Sequence, residues 1–243
     1  MLKRVQHDIM TDISLKALLE AGCHFGHKAS RWYPTAKTYI YTEKDGVHII
    51  DLALTKAGLE RAGQYLLELA QSGSKVLFVG AKRQAEAVVE EAAKRCGAYF
   101  VTKRWPGGLL TNFSVMKKNL ARIEETKTRS NDVSYTKKER LLAKRDHDKL
   151  IVEYGGMQGM DVLPEAIFVV DVKKFEGAIK EAQKMGVKII AICDTNADPN
   201  LVDFAIPAND DAVGSVKIIV GYLADCYAEG KTVIPAEEPE SIK

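Results

Sequence analysis

The stretch KVLFVGAKRQAEAVVEEAAKRCGAYFV, residues 75–101, decides the fold because it contains a complete strand–helix–strand unit. Its first strand, Lys75 to Val79, is almost entirely apolar, which is typical of a parallel strand covered on both faces. An amphipathic helix follows from Lys82 to Arg95, and Gly97 stands where a left-handed C-cap is expected. The run from Tyr99 to Val101 then supplies a second strand. This unit predicts two parallel strands joined by a helix.

The same alternation continues on both sides of this unit. Further strands are predicted at Val47–Ile50, Ala166–Val170 and Lys188–Ile192, and further helices at Leu54–Gln71, Lys173–Lys184 and Ala212 to about Glu229. Gly186 follows a helix in the same way as Gly97. The fold class is therefore α/β, with a doubly wound, mainly parallel sheet of the Rossmann or flavodoxin type.

Residues 112–154 interrupt this alternation because they contain no strand pattern. Four apolar residues in the first half are spaced three, four and three, which is a coiled-coil seam: Phe113, Met116, Leu120 and Ile123. The turn-rich run SNDVSY, residues 130–135, precedes a second helix from about Thr136 to Glu153. We predict an inserted two-helix coiled-coil hairpin.

The second arm of this hairpin has a less regular apolar pattern. Its apolar residues are divided by the polar run KRDHDK, residues 144–149, and comprise Leu141, Leu142, Leu150, Ile151 and Val152. We therefore expect closer packing at the base of the hairpin than along its middle.

These patterns divide the chain into four parts. Residues 1–13 form an N-terminal extension, residues 14–111 and 155–230 the α/β domain, residues 112–154 the hairpin, and residues 231–243 a disordered acidic tail.

Composition excludes several classes of protein. No apolar run approaches the roughly 20 residues of a membrane span, and the start MLKRVQHDIM lacks the apolar core of a signal peptide. The four cysteines are widely separated, so we predict reduced thiols and a cytoplasmic protein, with neither a disulfide framework nor a zinc finger.

Charge is divided unevenly along the chain. The first 190 residues carry 32 Lys and Arg against 23 Asp and Glu, whereas the last 53 carry 3 against 10. The hairpin alone, residues 113–154, carries 11 against 7. This asymmetry suggests a basic region that faces a polyanion and an acidic region that faces another partner.

The run KRWPGGLLTN, residues 103–112 and here called the basic loop, is the strongest candidate for RNA contact. Arg104 can fork onto a phosphate, Trp105 can stack on a base, and Gly107 with Gly108 permits close backbone approach. In the alternative interpretation, Trp105 fills a core and the cations are simply solvated.

Five segments in register resemble the small-subunit ribosomal protein two family in its bacterial form. They are LLEAGCHFGHKASRWYP (18–34), HIIDL (48–52), FVGAKRQ (78–84), KRWPGGLLTNF (103–113) and DTNADPNLVDFAIPANDDAVGSV (194–216). The resemblance implies an α/β domain with an inserted hairpin and a structural, non-catalytic role on the small ribosomal subunit, supporting translation. It also implies a ribosome-bound protein that contacts small-subunit rRNA between head and body, lies among other small-subunit proteins, and docks ribosomal protein one.

On this hypothesis the candidate rRNA contacts are cations, aromatic rings and one amide. In the α/β domain they are Lys28, Arg31, Trp32, Lys82, Arg83, Lys103, Arg104 and Trp105, and in the hairpin segment Asn112, Lys117, Lys118, Arg122 and Lys127.

Two other functions are compatible with parts of the sequence. A Rossmann-type enzyme or nucleotide-binding domain could hold an anion near Gly80, Lys82 and Arg83, although neither G-x-G-x-x-G nor a P-loop occurs at a strand–helix junction. A helical-hairpin adaptor for proteins would suit the acidic C-terminal part. We predict no catalytic residues and no small-molecule substrate.

No cofactor is expected to be required, but one structural divalent cation, zinc or magnesium, has candidate ligands. Asp194 ends a predicted strand, Asp210 and Asp211 precede the last helix, and His27 follows Gly26. In the alternative interpretation, Asp210 or Asp211 caps the final helix and Asp194 caps a turn, while the histidines pack or face RNA.

Overall fold

The computed structural model describes residues 13–232 of the 243-residue chain. In chain order its helices and strands are α1 (Leu15–Glu20), β1 (Phe25–Lys28), β2 (Ile40–Lys44), β3 (Val47–Ile50), α2 (Leu52–Gln71), β4 (Val76–Val79), α3 (Glu86–Cys96), β5 (Tyr99–Val101), α4 (Phe113–Asn131), α5 (Lys137–Tyr154), β6 (Ala166–Val169), α6 (Glu176–Met185), β7 (Lys188–Cys193), β8 (Phe204–Pro207) and α7 (Val213–Thr232). Within this part of the chain, no helix combines the length and apolarity that crossing a membrane requires.

Strands β4 to β8 form one parallel sheet in the order β5-β4-β6-β7-β8. The first strand of this sheet in chain order is β4. The chain then adds β5 on one side of β4 and crosses over to add β6 on the other side, so the winding direction reverses between β4 and β6. This order is that of a doubly wound, flavodoxin-like sheet, and it confirms the predicted α/β class. The segments that follow the five strands all start at one edge of the sheet, here called the carboxyl edge.

The central strands are apolar throughout because each face of the sheet has its own core. Phe78 and Phe168 lie on one face, beneath α2, α3 and α7, with their ring centroids 5.4 Å apart. Leu77 and Val79 point to the opposite face, where they pack with α6 and with Leu110 of the basic loop. Alternation of side chains along each strand therefore fills both cores at once.

A second, antiparallel sheet is formed by β1, β3 and β2 in that order. The prediction that Val47–Ile50 belongs to the parallel sheet is therefore wrong. Asp45 and Gly46 have φ angles of 53° and 74°, which suit a tight hairpin turn, so β3 pairs with its immediate neighbour β2. The fifth parallel strand is instead β8, Phe204–Pro207, which the sequence analysis did not identify; its last residue, Pro207, is one that strand interiors disfavour.

Two helices, α4 and α5, occupy the segment that interrupts the alternation. The predicted seam of α4 is directed inward, since Met116 and Ile123 are buried. Opposite them α5 places Ala143, which is buried, and His147, whose Nδ1 lies 3.1 Å from the carbonyl oxygen of Ile123. The middle of the helix pair is therefore in contact, which the sequence pattern had not indicated.

The apolar residues of α5 do not all face α4. Leu141 and Leu142 are each 50% exposed, because the inner stripe of the helix runs instead through Ala143 and His147. Residues adjacent in sequence point about 100° apart on a helix, so a pair of leucines cannot both follow one seam.

Most other predicted boundaries differ from the structure by a few residues. Gly97 and Gly186 have φ angles of 64° and 70°, which confirms both C-caps. Helix α3 begins at Glu86 because residues 82–85 form a turn, and α7 continues to Thr232. Residues 1–12 of the predicted extension and residues 233–243 of the predicted tail lie outside the described part of the chain.

Candidate functional site

The carboxyl edge gathers charged residues from the segments after all five parallel strands. Lys82 follows β4, Lys103 follows β5, Asp171 follows β6, Asp194 follows β7 and Asp210 follows β8. Doubly wound sheets bind ligands at this edge, near the point where the strand order reverses. The candidate site therefore lies where the fold class predicts it.

The basic loop is fixed to α6 by a single carboxylate that the sequence analysis did not identify. Glu181 Oε1 accepts hydrogen bonds from Trp105 Nε1 at 3.0 Å and from the backbone N–H of Gly108 at 2.8 Å. Its Oε2 accepts from the backbone N–H of Leu110 at 3.0 Å and of Thr111 at 3.2 Å, and from the Thr111 hydroxyl at 3.1 Å. Five donors thus converge on one side chain.

These donors keep Glu181 ionised. Partial burial raises the pKa of this carboxyl, but the hydrogen bonds from Trp105 and from the backbone of Gly108, Thr111 and Leu110 outweigh that effect, so the net pKa shift is downward. A charged carboxylate that accepts several N–H bonds forms a strong and directional anchor.

Trp105 is positioned differently from the stacking residue that the sequence suggested. Its indole N–H is bonded to Glu181, and its ring is half-buried and packs against the core on the α6 face. This placement supports the alternative interpretation, in which the ring is part of the core. One part of the ring still lines an open cleft of about 510 Å³ together with Lys103, Arg104 and Lys174.

The two cations of the basic loop have different surroundings. The Lys103 ammonium forms an ion pair with Glu86 of α3. Arg104 is exposed, and within residues 13–232 its guanidinium has no hydrogen bond or ion pair. Arg104 is therefore the cation of this loop whose donors are available to a ligand.

Lys82 lies inside an aspartate cluster formed by Asp171, Asp194, Asp210 and Asp211. Its Nζ is 2.9 Å from Asp171 Oδ2, 2.7 Å from Asp210 Oδ1 and 2.8 Å from Asp211 Oδ1, and its side chain is 14% exposed. Burial alone would lower the pKa of this ammonium, but Asp210 and the other carboxylates raise it. The Lys82 ammonium is thus paired within the protein, whereas its neighbour Arg83 is exposed.

The pKa of Asp210 is raised within this cluster. Burial raises its pKa to about 7, the negative charge of Asp194 adds to that effect, and the charge of Lys82 opposes it. Asp194 is also buried and accepts hydrogen bonds from the backbone N–H of Thr195 and of Asp210. One cation for several carboxylates leaves this part of the molecule acidic.

The structure brings His27 to this cluster, as the metal hypothesis required. His27 Nδ1 lies 2.9 Å from Asp194 Oδ1, and Nε2 lies 3.6 Å from Asp211 Oδ2. Hydrogen bonding to Asp194 raises the pKa of the imidazole and outweighs the opposite effect of burial. Close packing makes this approach possible, since a Cβ on Gly26 would stand 2.7 Å from Thr195 Cγ2.

Three possible ligand atoms, one each from His27, Asp194 and Asp210, lie within 4.8 Å of one another. Ligands of a tetrahedral zinc ion lie about 2.0 to 2.2 Å from the metal. His27 Nδ1 and Asp194 Oδ1 are 2.9 Å apart and hydrogen-bonded to each other, so this contact would have to open to admit an ion. Asp211 does not belong to this group of three, although its Oδ2 lies 3.6 Å from His27 Nε2, and its Oδ1 is bonded to Lys82. The donor types fit zinc or magnesium, and Lys82 competes with either ion for two of the carboxylates.

The capping alternative is confirmed for one aspartate only. Asp194 accepts the backbone N–H of Thr195 in a turn. Before α7, however, Asn209 Oδ1 accepts the N–H of Asp211 and of Ala212, at 2.8 and 3.1 Å. Neither Asp210 nor Asp211 therefore has the capping role that the sequence allowed.

The segment after β1 adds exposed groups next to the cluster. Lys28, Arg31 and Trp32 are all exposed, and the neighbouring backbone N–H of Tyr33 donates to the carbonyl of Thr195 at 2.7 Å. The Trp32 ring meets the His48 ring edge-on, with centroids 5.5 Å apart. This segment thus presents two cations and a partly exposed aromatic ring beside the carboxyl edge.

The candidate hairpin contacts all lie on α4 and are exposed: Lys117, Lys118, Arg122 and Lys127. Asn112 precedes α4 and its side chain accepts a hydrogen bond from the Ser114 hydroxyl rather than capping the helix. Lys127 approaches Glu124 to 3.9 Å, a distance typical of a weak surface pair.

Two residues that shape the candidate site were absent from the sequence-based set. Asp171 directly follows the apolar run of β6, so the rule that singled out Asp194 could also have identified it. Glu181 carried no such pattern, because it lies in the middle of an ordinary amphipathic helix, 70 residues or more from the loop that it binds.

Comparison with known proteins gives a consistent result. Residues 18–230 match the family model described as ribosomal protein S2. The chain is 44% identical to a protein named small ribosomal subunit protein uS2 from Dictyoglomus thermophilum, over 237 residues and 96% of each chain. It is also 44% identical to the Fusobacterium nucleatum protein of that name over 96% of each chain. A Roseiflexus protein so named is 46% identical over 222 residues, covering 90% of this chain and 85% of its own.

Proposed function

Because this chain belongs to the ribosomal protein S2 family, whose members are structural and non-enzymatic, we propose that it is a structural constituent of the small ribosomal subunit that binds small-subunit rRNA between head and body. The observation that carries this proposal is the anchored basic loop, which holds the unpaired Arg104 at the carboxyl edge. A preorganised loop of this kind binds with little loss of conformational entropy.

The contact surface extends from the basic loop to neighbouring exposed cations. Lys28 and Arg31 lie on the segment after β1, and Arg83 lies in the turn after β4. Arginine can bind phosphate with two parallel hydrogen bonds, whereas lysine acts as a point charge. We assign Arg31, Arg83 and Arg104 the positioning contacts, with Lys28, Lys103, Trp32 and Asn112 beside them.

Lys82 has a different role in this proposal. Its ammonium bridges three aspartates, so its contribution to RNA binding is to hold the edge together rather than to touch a phosphate. Trp105 likewise supports the loop from beneath, and only its cleft-lining part faces a ligand.

Helices α4 and α5 form the inserted coiled-coil hairpin, residues 112–154, as an arm separate from the α/β domain at 14–111 and 155–230. The exposed cations Lys117, Lys118, Arg122 and Lys127 of α4 contact the rRNA backbone. This arm would extend the phosphate-binding surface beyond the carboxyl edge and increase the salt dependence of binding.

The acidic C-terminal part supports a second partner. Its 10 acidic residues against 3 basic ones suit contact with protein rather than RNA. We propose that this part helps dock ribosomal protein one and contacts other small-subunit proteins, and that the protein is cytoplasmic and ribosome-bound.

No cofactor is needed for this structural role. We propose in addition that one zinc or magnesium ion braces the His27 side of the aspartate cluster, with Asp194 and Asp210 as its other ligands and Asp211 as a fourth after release from Lys82. The support is the approach of these ligand atoms within one small volume.

Binding to small subunits from which the endogenous protein has been removed by salt washing tests the rRNA proposal. We expect saturable binding of the purified chain that survives an excess of transfer RNA and weakens steeply with salt. If an excess of transfer RNA abolished binding to the small subunits, the attraction would be non-specific, and this result would contradict the proposal.

A further inference from the structure

We propose that Glu181 is a positioning residue for rRNA binding, whose carboxylate holds the basic loop in its binding conformation without touching RNA. This inference rests on the proposed function of that loop. It assigns a role in RNA recognition to an anion beside the cations of the basic loop, which charge alone would count as unfavourable.

The geometry supports a role in shaping the loop as a whole. The five donors come from four residues, Trp105, Gly108, Leu110 and Thr111, so one carboxylate fixes both halves of the turn around Gly107. Gly108 has a φ of 83°, a conformation that favours glycine and that the bonded N–H groups stabilise. Loss of the acceptor would release the turn that precedes α4.

A carboxylate is the only common side chain that satisfies this arrangement. Both of its oxygens are acceptors, and all five groups around them are donors. In Glu181→Gln one oxygen becomes an NH₂ group, which would face either the pair Trp105 and Gly108 or the pair Leu110 and Thr111. Three of these hydrogen bonds are part-buried, and part-buried donors left without acceptors cost free energy, so a near-isosteric change is expected to displace the loop.

Saturation by five donors would also weaken the repulsion between Glu181 and a phosphate. Its charge is spread over hydrogen bonds that the loop itself supplies, and the same bonds use the backbone N–H groups that could otherwise have held an RNA phosphate. Recognition is thereby left to side chains outside the turn, above all to Arg104, which directly precedes Trp105.

The experiment compares Glu181→Gln with the matched control Glu176→Gln on the same helix, using full-length protein and salt-washed small subunits. Glu176 is exposed, and within residues 13–232 its only ion pair is with Lys180 on its own helix. We expect Glu181→Gln to weaken binding about tenfold or more and Glu176→Gln to leave it within about twofold. Thr111→Val, which removes one of the five donors, should cause a smaller loss in the same direction.

Two further readouts separate positioning from general destabilisation. The chain has two tryptophans and should therefore give two indole N–H signals in a ¹H–¹⁵N spectrum, which the variant Trp105→Phe assigns. Glu181→Gln should shift the Trp105 signal and leave the Trp32 signal unchanged. In a double-mutant cycle, Arg104→Gln should weaken binding less in the Glu181→Gln background than in the wild type.

The outcomes distinguish the inference from the proposed function. If Arg104→Gln weakens binding while Glu181→Gln and Thr111→Val do not, or if the two effects of the cycle simply add, the positioning role is wrong and the loop function stands. If neither Arg104→Gln nor Lys103→Gln alters binding, the proposed function of the loop fails first. Should Glu181→Gln not fold, the graded loss in Thr111→Val together with the Trp105 signal decides the question.

Discussion

The basic loop and the aspartate cluster lie at the same edge of the sheet, but their charges are arranged in opposite ways. In the loop, one carboxylate, Glu181, is surrounded by N–H and O–H donors. In the cluster, one ammonium, Lys82, is surrounded by carboxylates. The loop therefore keeps Arg104 available to a ligand, whereas the cluster uses its cation internally. A cation at a strand end is thus a stronger candidate phosphate ligand when its own protein leaves it unpaired.

The largest expected effect comes from removing the internal cation. Lys82→Met leaves Asp171, Asp210 and Asp211 without their shared partner, and breaking such a buried pair costs about 3 kcal/mol or more. Urea unfolding should show this loss in the free energy of unfolding, while Lys173→Met, at an exposed position, should change it by less than about 0.5 kcal/mol. An effect as small as that of the control would mean that Lys82 does not stabilise the cluster.

Metal content tests the other side of the cluster. Protein purified without chelator should contain close to one equivalent of zinc or magnesium, and the double variant His27→Ala with Asp211→Ala should lose it. The matched control is His147→Ala, which alters a histidine of the hairpin. Less than a few tenths of an equivalent in the wild type, or unchanged content in the double variant, would remove the metal site from this account.

The Trp105 ring should matter more for stability than for stacking. Trp105→Ala removes a half-buried ring and one of the Glu181 donors. We therefore expect the free energy of unfolding to decrease by about 1 to 3 kcal/mol and the melting temperature to fall. Trp105→Phe keeps most of the packing and should recover part of this loss. Unchanged stability together with a strong loss of rRNA binding would instead show that the ring stacks on a base.

The smallest expected effect concerns the exposed cation. Arg104→Gln should leave thermal stability unchanged and reduce the slope of log affinity against log salt concentration by about 1, since one phosphate contact is lost. Lys184→Gln, an exposed change on α6, serves as the control. Equal slopes for the two variants would show that Arg104 does not meet a phosphate.

The fold could be predicted largely from local patterns, with specific exceptions. Runs such as Val76–Val79 are apolar on both faces, which follows directly from burial on both sides of a parallel sheet. The run Val47–Ile50 looks similar, but pairing through the turn at Asp45 and Gly46 takes it into another sheet. Short strands do not reveal their partner, because partner choice depends on contacts distant in sequence.

The candidate site was predictable to the extent that it depended on strand ends. Asp194 and Asp210 lie together because the carboxyl ends of parallel strands gather at one edge. The approach of His27 could not be predicted in this way, since His27 lies on β1 of the antiparallel sheet. The sequence could not show that Lys82 is enclosed by aspartates or that Glu181 binds the basic loop. Both facts depend on side chains brought together from separate elements, and neither residue differs in its local sequence from an ordinary solvated charge.

Sedimentation of an extract from cells that express a tagged form of the chain tests the central claim most directly. If the protein is a structural constituent of the small subunit, the tag should sediment with small subunits and whole ribosomes at low salt. It should move toward the top of the gradient as salt is raised, and this shift should occur at a lower salt concentration for Arg104→Gln than for the wild type. A tag found only in the soluble fraction, apart from small subunits at every salt concentration, would contradict the account.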